Sequence, residues 1–193
     1  MPSSSAEPPI KEFRTPAAWE KWLERHHDDD AGVWMKFAKK GTGVTTVTYA
    51  EALEVALCFG WIDAQVKRFD DTYYLQRFTP RRTRSKWSKI NRDAATRLTE
   101  ARAMRPPGLA AVERAKADGR WDAAYDSPAN AAMPEDLERA LARNKKAREF
   151  FATLSKQNRY AILYRIQDAK RPETRARRIT QFVEMLARGE KLH

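Results

Sequence analysis

Hydrophobic positions follow two rhythms along this chain. Up to about residue 80, short alternating runs sit between helical stretches; after about residue 134 only helical spacing remains. Thr15-Pro16 reads as a cap followed by proline in a first turn, and predicts a helix to about His27 with Trp19, Trp22 and Leu23 inward. Gly32 to Lys39 alternates, with Val33, Met35 and Phe37 set against Trp34 and Lys36, and predicts a strand. Gly41-Thr42-Gly43 is a turn. Thr48 and Glu51 form a capping box that opens a helix running through Phe59 and closed by Gly60. Leu53, Val55, Ala56, Leu57 and Cys58 make that helix apolar round most of its girth, so it belongs at the centre of the core.

Strands are predicted at about 62–68 and 73–79, joined through Phe69-Asp70-Asp71-Thr72, with Pro80 ending the second. Ser85 or Ser88 caps the next helix, which carries Ile90, Ala94, Ala95 and Leu98. Pro106-Pro107-Gly108 separates it from another that closes at Asp118-Gly119. Trp121 and Tyr125 anchor the following segment. Four helices are predicted at about 135–142, 145–154, 156–169 and 173–188, broken by Asn144, Ser155 and Pro172. Leu137, Leu141, Phe150, Phe151, Leu154, Ile162, Leu163, Ile166, Ile179, Phe182, Val183 and Leu186 form their core stripe. The expected fold class is α+β and mostly helical, with a small three-stranded antiparallel sheet in the N-terminal part and an all-α C-terminal bundle. The expected organisation is a disordered Ser/Pro/Glu-rich lead-in at 1–12, an α+β domain at 13–126, a linker at 127–133 and a helical domain at 134–193.

Charge changes the picture more than composition does. The 193-residue chain has a formal net charge of +11, concentrated in two blocks. Arg81, Arg82, Arg84, Lys86, Lys89 and Arg92 occur with no acid among them, and residues 143–178 hold twelve basic against three acidic residues. Clustered charge steers anions; solvated helix faces are the bland alternative. The first block follows directly on an aromatic stretch containing Phe59, Trp61, Phe69, Tyr73, Tyr74 and Phe78. The expected anion-binding set is Arg81, Arg82, Arg84, Ser85, Lys86, Trp87 and Ser88, joined by Arg175 and Arg178 from the second block. Arginine forks suit phosphate, hydroxyls add donors, and a helix start adds backbone N–H groups. Trp87 either stacks a base or anchors the core. Asp63 is expected as the structural partner of the basic segment, with a site carboxylate as the alternative.

Other motifs exclude more than they suggest. The single cysteine, Cys58, rules out an intramolecular disulfide and reads as a packed thiol of a reduced, cytoplasmic setting. No signal-like start and no membrane-length apolar run is present, so no membrane insertion is expected. His26 and His27 beside Asp28, Asp29 and Asp30 read as an exposed helix end and not a metal site. Gly41-Thr42-Gly43 lacks the lysine-serine pair of a phosphate loop. No cofactor, metal or catalytic residue is assigned, and no Ser/His/Asp arrangement is indicated.

The succession TPAAWEKWL, GVWMKFAKK, TYAEALEVALCFGWID, PRRTRSKWSKIN, GRWDAAYD, MPEDLERAL and AKRPETRARRI resembles the YdeI/OmpD-associated, or bacteriocin-protection, family, from residue 13 nearly to the end. The resemblance implies a bacterial accessory protein linked by name to bacteriocin protection or envelope stress, and it lends no catalytic residues. Similar chains tend to have glycine at about Arg102, so a turn there is reshaped or the helix runs on. Three classes of function stand open: a module binding nucleic acid or another anionic partner, a protein-interaction scaffold, and an enzyme on a small phosphorylated or carboxylated substrate with Asp63 as base.

Overall fold

A computed structural model describes residues 7–128 and 130–192. Among them the chain forms eight helices and one four-stranded mixed sheet, and it divides into two compact units. The first contains the chain up to Trp87 together with Asn91–Ala123; the second contains Ser88–Ile90 and the chain from Ala124.

In the first unit, β1 (Ile10–Glu12), β2 (Val33–Ala38), β3 (Trp61–Arg68) and β4 (Tyr73–Pro80) form a sheet in the order β1-β2-β4-β3. β2, β4 and β3 are antiparallel, as alternation implied, but β1 adds a fourth strand in parallel, with Lys11 opposite Met35. The expected three-stranded antiparallel sheet is thus corrected to a four-stranded mixed one. The added strand lies where the composition read a disordered lead-in; residues 1–6 of that stretch lie outside the described residues. Three exposed residues carry no pattern of their own, and only the open edge of β2 selects them. The β3–β4 register shifts between Asp63 and Val66, which places a bulge at the middle of β3.

Helix α1 (Pro16–His26) starts where Thr15 accepts the N–H of Ala18, and α2 (Tyr49–Cys58) starts at the complete Thr48–Glu51 capping box. Trp19 and Trp61, both fully buried, meet edge-on at 6.0 Å. Their N–H groups donate to the carbonyls of Ala52 and His27 at 3.1 and 2.8 Å, so neither indole buries an unsatisfied donor. α3 (Lys89–Glu100) ends in a paired-bond cap: Arg102 N–H donates to Thr99 and Ala103 N–H to Leu98, with Arg102 at φ 56°. Pro106-Pro107-Gly108, expected between helices, is instead the first turn of α4 (Pro106–Ala117). A Cβ at Gly108 would stand 2.2 Å from the Cys58 carbonyl oxygen, so only glycine lets α4 approach the end of α2 this closely.

In the second unit, α5 (Glu135–Ala142), α6 (Lys145–Thr153), α7 (Lys156–Gln167) and α8 (Pro172–Ala187) bury the predicted stripe around Leu137, Ile162, Ile166 and Leu186. Asn144 and Ser155 cap α6 and α7 through the N–H groups of Ala147 and Asn158. Ser88 bridges Tyr125, and Lys89 pairs with Asp126 at 2.7 Å.

Candidate functional site

Where β4 leaves the sheet, Pro80 ends the ladder and the Arg81 N–H returns to the carbonyl of Gly60 at 2.9 Å. The basic segment then turns, with the Ser85 N–H on the Arg82 carbonyl. Two arginines hold this turn from inside. Arg81 is buried, donates through Nη1 to the Lys86 carbonyl at 3.1 Å, and stacks on Trp87. Arg120, just past α4, donates to the Ser85 carbonyl at 2.7 Å while Asp118 fixes its Nε at 2.8 Å. Both guanidiniums donate to backbone carbonyls, which fixes the path of the loop's main chain.

The turn forms one wall of a cleft of about 630 Å3 lined by Asp30, Ile62, Ala64, Gln65, Arg77, Thr79, Pro80, Arg81, Arg82 and Ser85. All belong to the first unit. Arg77 reaches it from β4, with Nη2 on the Ala31 carbonyl at 3.0 Å and a buried Nε that has no hydrogen-bond partner. Arg82 is exposed, and its guanidinium makes no hydrogen bond or ion pair among the described residues; the same holds for the Ser85 hydroxyl. Three guanidiniums against one carboxylate give the cleft a positive field, and its volume falls within the range of small-molecule sites.

The predicted residues separate into groups. Arg81, Arg82 and Ser85 line the cleft. Arg84 and Lys86 are exposed on the same loop, Lys86 contributing its carbonyl to Arg81. Trp87 is buried, with its ring edge-on to Trp121 at 5.0 Å, which decides for core anchor over base platform. Ser88 belongs to the second unit. Asp63, expected to hold the basic segment, instead accepts the Tyr49 hydroxyl at 2.9 Å. Burial and the Asp63 carboxylate both raise the Tyr49 pKa, burial most. In the second block, Arg175 grips Asp136 at 2.5 and 2.9 Å and donates to the Ile166 carbonyl at 3.1 Å, while Arg178 donates to the Arg165 carbonyl. Both thus act as internal clamps of the second unit. His26 meets Asp29 at 2.9 Å at the end of α1, and burial pushes the Cys58 thiol up to about 11.

Sequence reasoning missed Arg77, Thr79, Gln65 and Asp30. For Arg77 and Thr79 a signal existed: with Tyr73 and Leu75 they occupy every second position of β4 and so share one face. Asp30 and Arg120 arrive from distant segments and carried none.

Residues 11–111 match the family model of a domain of unknown function (DUF8412), and residues 130–189 match that of the bacteriocin-protection, YdeI or OmpD-associated family. The chain belongs to the DUF8412 family, whose model covers just over half of it, and its C-terminal part is similar to the bacteriocin-protection family. The whole cleft falls within the DUF8412 match, whereas the resemblance expected from residue 13 onward is matched by the bacteriocin-protection model in the C-terminal part alone. No curated protein and no solved structure matches the chain. Among the described residues no helix is long and apolar enough to cross a membrane.

Proposed function

We propose that this chain is a bacterial accessory protein of the bacteriocin-protection kind, working in the cytoplasm, that holds an anionic, phosphate-bearing partner in the Arg77–Arg81–Arg82 cleft. Nucleic acid is the first candidate partner. The observation that supports the reading is the state of Arg82: a guanidinium with no partner among the described residues, beside the open hydroxyl of Ser85 and two arginines already held in place. A bidentate donor presented this way suits a phosphate oxygen pair. Arg84 and Lys86 extend the field along the loop.

The test is fluorescence anisotropy with labelled single-stranded DNA, RNA and polyphosphate across a salt series. Binding is expected at low salt, weakening by a log–log slope of about −0.7 to −0.9 per phosphate contact. Arg82→Glu should weaken it at least tenfold with an unchanged melting temperature. Absence of binding to all three at low salt overturns the reading. The scaffold function would then lead, supported by the exposed Val66 and Phe69 at the β3–β4 hairpin.

A further inference from the structure

Asp30 does not fit a plain polyanion site. It lines the same cleft as three arginines, yet it forms no hydrogen bond or ion pair among the described residues. A carboxylate in this position repels a phosphate and lowers the site's affinity for any ligand that is only an anion. A site built for anions alone would be stronger with a neutral residue there. The carboxylate strengthens binding only for a ligand that brings a hydrogen-bond donor or a positive charge to it. Hydrogen bonds to an ionised acceptor are the stronger kind, and a donor left unmet beside such a group discriminates sharply between analogues.

The rest of the lining completes the description of the ligand. Ile62, Ala64 and Pro80 contribute apolar surface, Gln65 and Thr79 contribute groups that both donate and accept, and Arg77, Arg82 and Ser85 contribute the donors for an anion. Resting on the anion-binding reading above, we infer that the cleft takes a phosphate ester that also carries an amino group. The phosphate sits at Arg82 and Ser85, the body of the ligand lies on Ile62, Ala64 and Pro80, and the amino group donates to Asp30. Asp30 is then the specificity-determining residue. This chemistry belongs to nucleotides with an exocyclic amine and equally to aliphatic amino-phosphates.

Isothermal titration at low salt, with inorganic phosphate, AMP, IMP, CMP, UMP and phosphoethanolamine, tests the inference and separates the two sources. AMP and CMP are expected to bind roughly tenfold tighter than IMP and UMP, the effect of one hydrogen bond to a charged group in a solvent-accessible cleft. Asp30→Ala should erase that gap while binding of inorganic phosphate stays equal or improves. Asp30 is exposed and makes no hydrogen bond or ion pair among the described residues, so the variant keeps the fold. If phosphoethanolamine equals AMP, the amine and phosphate suffice; if it trails AMP, the ring on Ile62 and Pro80 matters too; both results support the inference. Equal affinities of AMP and IMP in the wild type overturn it, as does a preference that survives Asp30→Ala. If no probe binds at all, inorganic phosphate included, the anion-binding reading falls first and this inference with it.

Discussion

The guanidinium carbon of Arg81 lies 3.6 Å from the ring centre of Trp87, and both side chains are buried. The most basic stretch of the chain is therefore tied to the core through its first residue. Arg81 and its neighbour Arg82, indistinguishable as a dipeptide, differ accordingly. Arg81→Glu should cost at least about 2–3 kcal/mol, since it places a carboxylate against an indole and leaves the Lys86 carbonyl without its donor. Arg82→Glu should stay within about 0.5 kcal/mol of wild type. Urea denaturation of the two variants measures the difference.

Arg102 is the one non-glycine residue at positive φ among the described residues, at 56°. Its N–H and that of Ala103 close α3 in the geometry that glycine adopts without steric cost. Arg102→Gly is expected to stabilise the protein by about 0.5–1 kcal/mol, the relief of strain exceeding the added freedom of the unfolded chain. A higher midpoint in chemical denaturation, with an unchanged slope, is the expected result.

Trp61 is fully buried, touches the rings of Trp19 and Trp22, and satisfies its N–H on the His27 carbonyl. Trp61→Ala should cost about 3–5 kcal/mol through cavity formation and an orphaned acceptor. A loss under about 1 kcal/mol would contradict its role as core anchor.

The Asp136–Arg175 pair gives the second unit a defined pH response. The Arg175 hydrogen bonds hold the Asp136 carboxyl below its ordinary value. A depressed folded-state pKa contributes stability that is fully present above the unfolded value of about 3.9 and is lost as pH falls toward the folded one. Asp136→Asn should therefore cost about 1–2 kcal/mol at pH 7, reduced from a fully buried pair because both side chains remain about one-third exposed. Thermal melts of the two proteins should converge below pH 4.

What the sequence determined by itself was local. The Thr48–Glu51 box, the Asn144 and Ser155 caps and Pro172 placed helix starts, because a cap bonds to N–H groups two or three residues away and needs no distant partner. Alternation placed β2, β3 and β4, and helical spacing named the core of α5 to α8, because a buried face must repeat at the period of its element. Tertiary structure decided the rest. β1 is a strand because β2 offers it an edge, Trp87 is core because Arg81 and Trp121 cover it, and Asp63 faces Tyr49 and not the arginines. The cleft gathers Asp30, Arg77 and Arg82 from three segments, and Arg175 leaves the basic surface for Asp136, 39 residues away. Charge counts treat every arginine alike; whether one is a clamp or a ligand depends on which carbonyl or carboxylate the fold brings within about 3 Å of it.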